Sequence, residues 1–229
     1  MEKTKLSKRL EKVASFVPES ARLVDVGSDH AYLPLFLVEA GKIDFAVAGE
    51  VVKGPFESAL KNVQEAGQSD KIQVRLANGL AAVESQDQIS TVTIAGMGGR
   101  LIADILESGQ EKLAGVERLI LQPNNREDDV RTWLQEHDYQ LIAEVILEEN
   151  DKMYEILVAE AGKMNLSAKE LRFGPYLQAE CSETFQKKWQ AELSKLTWAF
   201  QQVPETHAAD RSAISQKMKD IEEVLHASK

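Results

Sequence analysis

The chain has 229 residues, enough for one α/β domain and a smaller appended unit, and 43% of them are hydrophobic. Its 37 acidic residues exceed its 27 basic ones, and the resulting net charge of -10 argues against indiscriminate electrostatic binding to nucleic acid or anionic membranes. The single cysteine, Cys181, excludes an internal disulfide and a cysteine-based zinc cluster. No apolar run reaches the roughly 18 to 20 residues of a membrane span. Because the start also lacks the hydrophobic core of a signal peptide, we expect a cytoplasmic protein without a bound metal.

The first predicted element is a basic amphipathic helix. Apolar residues recur every three or four positions from Leu6 to Val17 and Pro18 follows, so we expect a helix over residues 4–16. The first twelve residues contain five cationic side chains and two Glu. The five are Lys3, Lys5, Lys8, Arg9 and Lys12. This helix is therefore a local basic surface on an acidic chain.

Five short β-rich runs follow and alternate with amphipathic segments of helical length. They cover residues 22–26, 44–50, 71–76, 89–95 and 116–122. This alternation predicts an α/β fold with a parallel, doubly wound sheet.

Two further strand-like runs cover residues 139–147 and 153–161. The gap between them is too short for a crossover helix, so we expect an antiparallel hairpin. Five parallel strands that end in such a hairpin are typical of a class I methyltransferase rather than of a dehydrogenase.

Strand patterns stop after Gly162, and the remaining chain predicts a helical hairpin. Apolar residues recur at spacings of three and four over 189–203 and again over 214–225, which is the seam pattern of a coiled coil, and Pro204 separates the two series. We expect the first helix to cover residues 176–203 and to be about 40 Å long.

Both Trp189 and Trp198 are expected to be packing residues of this hairpin. The chain thus divides into a sheet domain over residues 1–163 and a coiled-coil domain over residues 164–229. Residues 165–229 contain nine basic and nine acidic side chains, so the whole negative excess lies in the sheet domain and the arm is neutral.

A glycine loop follows the first strand, in the run Val-Asp-Val-Gly-Ser-Asp-His-Ala-Tyr-Leu-Pro from position 24 to position 34. It is not a dinucleotide fingerprint, because Asp29 and Tyr32 stand where the second and third glycines belong. A carboxylate at Asp29 would repel a pyrophosphate but suits the ammonium or sulfonium group of S-adenosylmethionine. Cofactor candidates are therefore Asp25, Gly27, Ser28 and Asp29. An ordinary tight turn with a surface aspartate is the alternative.

The ends of the second and third strands supply further cofactor candidates. Glu50 lies 23 residues after Gly27, a spacing at which an acidic side chain can accept both ribose hydroxyls, and Val51 follows it. A solvated strand-end glutamate is the alternative. Asn78 and Gly79 can line an adenine edge, although on their own they indicate only a turn.

The fourth and fifth strands end in small residues and amides, at the sheet edge where such folds bind ligands. The fourth lacks the Asp/Asn-Pro-Pro-aromatic motif with which amino-group methyltransferases hold an exocyclic amine. Its glycines leave space and backbone donors, which favours a planar acceptor that needs positioning more than deprotonation. Candidates for the cofactor are Ala95 and Gly96. The acceptor candidates are Met97, Gly98, Gln122, Pro123 and Asn124, with a helix cap at 124 or 125 as the alternative.

In this order, the strand ends resemble the bacterial TrmK family of tRNA adenine methyltransferases. The runs that carry the resemblance are Val24 to Pro34, Lys53-Gly54-Pro55, Asn78-Gly79-Leu80, Ala95 to Gly99, Leu121 to Asn124, and Leu171-Arg172-Phe173-Gly174-Pro175. It covers essentially the whole chain. The resemblance implies S-adenosylmethionine-dependent methylation of N1 of adenine 22 in tRNA. It also implies a Rossmann-like domain, here with a mostly parallel seven-stranded sheet, and a coiled-coil tail.

Under this hypothesis the reaction needs little acid-base chemistry. Neutral adenine N1 carries an in-plane lone pair, so positioning should supply most of the rate. N1 lies on the Watson-Crick edge, and the base must be unpaired before attack. We expect Asp29 to contact the cofactor amino group or the target amine, and Tyr32 to stack on the base or close the loop. His30 either donates a hydrogen bond or only packs.

For tRNA, the expected docking surfaces are the basic helix, through Lys5, Lys8 and Arg9, and the neutral arm. A modest number of phosphate contacts predicts a shallow salt dependence. The chain is expected to be a monomer or a weak dimer. A methyltransferase for a small molecule or a protein and a catalytically silent binding scaffold remain open alternatives, whereas a nicotinamide-dependent oxidoreductase is disfavoured by the missing glycines.

Overall fold

The computed structural model describes residues 4–226, in which seven strands form one sheet. The strands are β1 (Arg22–Val26), β2 (Phe45–Glu50), β3 (Ile72–Leu76), β4 (Thr91–Met97), β5 (Arg118–Pro123), β6 (Tyr139–Glu149) and β7 (Lys152–Ala161). Their order is β3-β2-β1-β4-β5-β7-β6, with β1 to β5 parallel and β6 and β7 antiparallel. The predicted parallel sheet with a terminal hairpin is confirmed.

Helices cover both faces of this sheet. They are α1 (Lys8–Phe16), α2 (Tyr32–Glu39), α3 (Lys53–Glu65), α4 (Gly99–Ser108), α5 (Glu127–Glu136), α6 (Ala168–Phe173), α7 (Pro175–Glu180), α8 (Glu183–Gln202) and α9 (Ala208–His226). On β1, Leu23 packs in the cluster with α1 to α3, whereas Val24 packs in the cluster with α4 and α5. The two faces are separated in this way because successive side chains of a strand point to opposite sides.

The strand order places a ligand site. From β1 the chain moves outward to β2 and β3 and then returns to pair β4 on the other side of β1. Open α/β sheets bind ligands outside the carboxyl ends of the strands, at the point where the order reverses. The carboxyl ends of β1 and β4 therefore mark the centre of the candidate site.

The first helix is shorter than predicted. It begins at Lys8, because the Ser7 hydroxyl accepts a hydrogen bond from the Leu10 N–H (3.2 Å) and caps the helix. Of the five predicted cations, Lys3 lies outside the described residues. The helix packs through Val13 and Ala14, which are buried against the sheet.

The helical tail is broken where one helix was expected. The prediction of a continuous helix over residues 176–203 is wrong, because Cys181 adopts a left-handed conformation (φ 44°) and ends α7. Ser182 then caps α8, whose 20 residues correspond to about 30 Å. At its far end, Arg211 of α9 donates to the Phe200 carbonyl oxygen (3.1 Å), and α9 packs alongside α8.

The two tail tryptophans have different environments. Trp189 is buried and contacts Phe173 with ring centroids 4.4 Å apart, as expected of a packing residue. Trp198 is 66% exposed, so the expectation that it packs is wrong. The seam repeat agrees with this difference, because Trp189 is a seam residue whereas Trp198 lies two positions after the seam residue Leu196.

A buried ion network joins the tail to the sheet. The fully buried Arg131 guanidinium lies 2.7 Å from Glu144 and 2.6 Å from Glu155, and it donates to the Leu171 carbonyl oxygen (3.1 Å). Lys188 of α8 reaches Glu155 from the other side (2.6 Å). Burial alone would raise the pKa of Glu155, but Arg131 and Lys188 together hold that pKa below its usual value. The arm is therefore joined to the sheet by an ion network whose Arg131, Glu144 and Glu155 side chains are buried and whose Lys188 is partly exposed.

Candidate active site

The loop after β1 has an uncommon backbone. Asp29, His30 and Ala31 follow one another with φ values of 38°, 66° and 59°. Residues other than glycine rarely adopt this left-handed backbone conformation. Three contacts hold it: the Asp29 N–H donates to Glu50 Oε1, the Asn62 amide donates to the His30 carbonyl oxygen (3.0 Å), and Ala31 is fully buried. Strain held in this way is typical of functional loops.

The run brings the three predicted catalytic side chains together. The side chains of Asp29 and His30 are 81% and 41% exposed, and His30 Nε2 lies 3.4 Å from Asp29 Oδ1. The His30 ring stacks on Tyr32 with centroids 5.3 Å apart and an interplanar angle of 25°. An open carboxylate therefore lies beside a pair of stacked rings.

Asp25 supports this loop from inside the sheet. It is almost fully buried, and its two oxygens accept hydrogen bonds from the hydroxyls of Ser28 (2.6 Å) and Thr93 (2.7 Å). Burial raises the pKa of Asp25 to about 6, against the lowering effect of these two hydrogen bonds. Asp25 thus fixes the position of Ser28 from beneath the site.

Gly27 stands at the contact between β1 and β4. A Cβ there would lie 2.2 Å from the Met97 methyl carbon, and the φ of 68° disfavours other residues. The Gly27 and Ser28 N–H groups both donate to the Gly49 carbonyl oxygen (2.9 and 3.2 Å), which holds the loop against β2. Glycine is favoured here mainly by this backbone conformation, because the flexible end of the Met97 side chain can move.

A buried carboxylate and exposed apolar side chains meet at the end of β2. Glu50 is 6% exposed, and burial raises the pKa of its carboxyl group. Val51 and Val52 directly after it are 64% and 57% exposed, and Leu76 at the end of β3 is 52% exposed. A carboxylate beside an apolar rim is chemically suited to a ligand that carries a diol next to an aromatic base.

The residues after β3 border the same rim. Asn78 is exposed, and the Ala77 N–H donates to the Glu50 carbonyl oxygen (2.7 Å), which brings this turn to the end of β2. Gly79 has a φ of 56°, and a Cβ there would lie 3.0 Å from Ile105 Cγ2, so backbone conformation and packing against α4 both favour glycine. Of the two, Asn78 is the residue open to a ligand.

On the other side of β1, a bulge ends β4. The pairing with β5 shifts register between Ala95 and Met97, and Gly96 has a φ of 81°. The Gly96 N–H donates to Gln122 Oε1 (3.0 Å), and the Gly96 carbonyl oxygen accepts from Asn124 Nδ2 (2.8 Å). The Asn124 N–H donates to the Met97 carbonyl oxygen (2.7 Å). The predicted amides therefore do meet the glycine run.

The next glycines do not leave the space that was expected. A Cβ on Gly99 would lie 2.0 Å from the Arg126 carbonyl oxygen, and one on Gly98 would lie 3.3 Å from Asn125 Oδ1. Pro123 is buried and paired with Met97 in the sheet. The room at Gly99 is taken by the loop before α5, so this glycine is explained by backbone packing.

The basic helix contributes one residue to this edge. Lys5 and Lys8 are exposed, and the Lys8 N–H donates to Glu149 Oε1 (2.7 Å). Arg9, which was expected on the same outer surface, is half-buried and donates through Nη1 to Gln122 Oε1. Its guanidinium carbon also lies 5.3 Å from the Tyr154 ring centroid.

Sequence reasoning missed this cluster. Arg9 and Gln122 are 113 positions apart, and Tyr154, on β7, is still further from Arg9 along the chain. The Asn62 contact to the loop was also missed, since it lies within an ordinary helical pattern on α3. No local sequence signal marked Tyr154 or Asn62 as a site residue.

Together these elements form two adjoining subsites at the carboxyl edge. Carboxylates and an apolar rim lie at the ends of β1 to β3, and neutral amides lie at the ends of β4 and β5. Within residues 4–226, no three His, Cys, Asp or Glu side chains are grouped to hold a metal ion. Over the same residues, no helix has the length and apolar character needed to cross a membrane.

Comparison with known proteins agrees with this geometry. The family model described as TrmK, tRNA (adenine(22)-N(1))-methyltransferase, matches residues 23–223. A Bacillus subtilis (strain 168) protein named tRNA (adenine(22)-N(1))-methyltransferase is 46% identical over 228 residues, which cover 96% of this chain and 94% of that protein.

Solved structures give the same result. A Streptococcus pneumoniae protein in complex with S-adenosyl-L-methionine is 61% identical, with a TM-score of 0.92 and coverage of 97% of this chain and 100% of that one. The M. capricolum TrmK in complex with S-adenosyl-homocysteine is 29% identical, with a TM-score of 0.88 and coverage of 96% of this chain and 98% of that one. The fold is thus a Rossmann-like methyltransferase fold, and the chain belongs to the TrmK family of tRNA (adenine(22)-N(1))-methyltransferases.

Proposed function

We propose that this chain methylates N1 of adenine 22 in tRNA with S-adenosylmethionine as methyl donor. The observation that carries the proposal is the pairing of two subsites across β1 and β4: exposed and buried carboxylates on one side, and neutral amides on the other. The first suits a cationic nucleoside ligand and the second a neutral planar base. The family match over residues 23–223 supports the same reaction.

The donor set at β1 to β3 fits the cofactor. We assign Glu50 to the ribose hydroxyls, because a buried carboxylate can accept from both, and Val51 with Asn78 and Gly79 to the adenine side. Asp29 would face the cationic end of the ligand. When bound, S-adenosylmethionine supplies a sulfonium methyl group, which the N1 lone pair accepts with release of neutral S-adenosylhomocysteine.

The other residues assigned to the cofactor lie in or just after β1 and at the tip of β4. Gly27 permits close approach of the loop, and Asp25 orients Ser28 from below. Ala95 and Gly96 would border the reacting end of the ligand at the tip of β4.

The target base would lie between the stacked rings and the amide edge. We assign His30 and Tyr32 to base stacking, because their rings already form a partly exposed stack. Adenine N1 becomes positively charged on methylation, and the open Asp29 carboxylate can stabilise that charge or accept from the exocyclic amine. Proton removal from N1 is not needed, since N1 of neutral adenine carries none.

The opposite border of the base would be the β4–β5 edge. The residues assigned to it are Met97, Gly98, Gln122, Pro123 and Asn124. Bonds from Gln122 and Asn124 hold the Gly96 backbone and so define the shape of this edge.

We further propose that tRNA contacts Lys5 and Lys8 and the helical arm. Both lysines are exposed next to Arg9, whose bond to Gln122 brings the start of α1 to the acceptor subsite. Few cations are involved, so we expect the salt dependence of binding to be shallow. As a tRNA-modifying enzyme, the protein would work in the cytoplasm.

The two-domain division is part of this proposal. Residues 1–163 would form the methyltransferase domain and residues 164–229 an arm in which α8 and α9 pair as a coiled coil. Leu193, Leu196 and Leu225 pack in the cluster of Trp189 and Ile221, which supports seam packing within one chain. Because that seam is used internally, we propose a monomer or a weak dimer.

The direct test is radiolabelled methyl transfer to unmodified tRNA, followed by nucleoside analysis. We expect N1-methyladenosine from a tRNA with adenine at position 22, and none from the same tRNA with guanine there. Transfer to protein or small molecules without tRNA methylation would contradict the proposal. Failure to bind S-adenosylmethionine in calorimetry would favour a silent scaffold instead.

A further inference from the structure

Arg9 lies on the basic helix, and its side chain bonds directly to the acceptor subsite. Its Nη1 donates to Gln122 Oε1, and its guanidinium lies over the Tyr154 ring. A Cβ built on Gly96 would lie 3.5 Å from Arg9 Nη1. The guanidinium therefore borders the bulge at which we place the target base.

The hydrogen bonds of Gln122 explain what this contact does. Its oxygen accepts from Arg9 and from the Gly96 N–H, while its Nε2 donates to the Pro123 carbonyl oxygen (2.8 Å) and to Asn124 Oδ1 (3.2 Å). Gln122 is fully buried. A flipped amide would place its NH₂ against two donors and its oxygen against two acceptors. Arg9 thus helps to define one orientation of the amide.

This orientation passes to the backbone of the β4 bulge. Gln122 holds the Gly96 N–H, and Asn124, itself bonded to Gln122, holds the Gly96 carbonyl oxygen. Gly96 has a φ of 81°, in the left-handed region, which glycine adopts without the steric cost of a side chain. A chain of hydrogen bonds therefore connects Arg9 on α1, through Gln122 and Asn124, to the N–H and the carbonyl oxygen of Gly96.

We infer that Arg9 is a positioning residue, which sets the acceptor edge through Gln122 and ties that edge to the helix that carries Lys5 and Lys8. The inference rests on the proposed function, because it names the edge that receives the base. Arginine suits the position, since one face can lie on Tyr154 while an N–H points at Gln122. Lysine keeps a donor but not the flat, stacked geometry.

Two simpler explanations of the Arg9 contacts predict different effects of replacing this residue. A direct phosphate contact by Arg9 would affect binding of tRNA and leave turnover unchanged. A purely structural contact would lower stability and reduce activity only by reducing the folded fraction. A positioning role instead lowers kcat in fully folded protein, because misplacement of a reacting group by about 1 Å can cost on the order of 100-fold.

The test compares Arg9→Ala and Arg9→Lys with Lys8→Ala and a matched arginine control, Arg22→Ala. Arg22 is also half-buried, bonds a carbonyl oxygen (Asp87) and covers an aromatic ring (Phe45), but it lies at the amino end of β1. Kinetics are measured well below each unfolding midpoint. Amide hydrogen exchange of Gly96 is followed by NMR in the free protein.

We expect Arg9→Ala to lower kcat about 10- to 100-fold with the KM for tRNA unchanged, and to speed exchange at Gly96. Arg9→Lys should recover part of both losses. Lys8→Ala should raise the KM for tRNA alone, and Arg22→Ala should leave kcat and Gly96 exchange unchanged. A rise in KM alone for Arg9→Ala would overturn the inference in favour of direct RNA contact.

Failure of the proposed function would be visible separately. If the unaltered protein does not methylate tRNA, the proposed function fails, and the Gly96 exchange rate then decides the inference by itself. Unchanged exchange in Arg9→Ala would overturn it. Equal losses of kcat in Arg9→Ala and Arg22→Ala would also overturn it, because they would indicate a general structural effect.

Discussion

The two subsites at the carboxyl edge are built in different ways. At β1 to β3, functional groups come from residues close in the chain to a strand end, and Asp29 is largely open to solvent. At β4 and β5, the polar groups bond mainly to one another, and Gln122 is fully buried. The first subsite supplies charge to a ligand, whereas the second supplies a fixed shape. Substitutions in the two subsites should therefore fail in different steps.

The largest effect is expected from Asp29→Ala. The exposed carboxylate lies 3.4 Å from His30 Nε2 in the stacked pair, and its loss should reduce methyl transfer at least about 100-fold while the fold is retained. The measurement is single-turnover methylation with circular dichroism as the check on folding. Asp44→Ala is the control, since the Asp44 side chain is 84% exposed and pairs only with Lys71 in the salt bridges of the described chain. Turnover near that of the unaltered protein would remove Asp29 from the reaction.

A smaller effect is expected from Gln122→Met, which tests whether the β4–β5 subsite acts by shape. The Gly96 N–H would lose its partner, and kcat should fall about 10- to 100-fold with cofactor affinity unchanged. Calorimetry and steady-state kinetics measure the two quantities. Gln73→Met, at an exposed position of β3, is the matched control. Equal losses of cofactor affinity and kcat would mean that the two subsites are not separate.

Gly27→Ala probes the contact between the subsites. The new Cβ would press on Met97 and stand at a φ of 68°, whereas Gly41 has a φ of 70° and open space around it. Both Gly27→Ala and Gly41→Ala should lower the free energy of unfolding by about 1 to 2 kcal/mol. Only Gly27→Ala should also weaken cofactor binding. Urea unfolding and calorimetry separate the two effects, and equal cofactor affinity in both variants would contradict the assignment.

The smallest effect concerns the pH dependence of stability. Since burial raises the pKa of Asp25 to about 6, the folded state binds more protons than the unfolded state between about pH 4 and pH 6. The contribution of Asp25 to stability should therefore fall as the pH rises through this window. Asp25→Asn should remove that fall, which urea unfolding at several pH values measures. An identical pH profile in the variant would show that Asp25 titrates normally.

Much of the fold was predictable because its signals are local. Alternating strand and helix patterns gave the first five strands, and the short gap before residue 152 indicated that the last two form a hairpin. The tail was less predictable: its apolar repeat begins at Trp189 and does not mark the break at Cys181, where one left-handed residue ends α7 and Ser182 starts a new helix. A periodic pattern reports which face is buried, and it does not report a single residue that redirects the backbone.

The candidate site likewise contains residues that local sequence signals identified and contacts that they did not. Asp29, Glu50 and Asn78 were identified from the sequence because parallel strands bring their carboxyl ends to one edge, so position along each strand is sufficient. The glycine run at the end of β4 was expected to leave space for a ligand, but Gly99 in that run is explained by the Arg126 backbone. Such a contact is formed between two loops, and neither loop encodes it alone.

The sequence by itself determined the parallel sheet with its terminal hairpin, the sheet edge at which the candidate residues lie and the family resemblance, since each depends on local periodicity or on short runs at strand ends. Only the tertiary structure decided that Arg9 leaves the basic surface and bonds Gln122, 113 positions away. The physical reason is that a partner for a buried polar group is chosen by proximity in the folded chain. Residue type alone could not distinguish Arg9 from the lysines beside it.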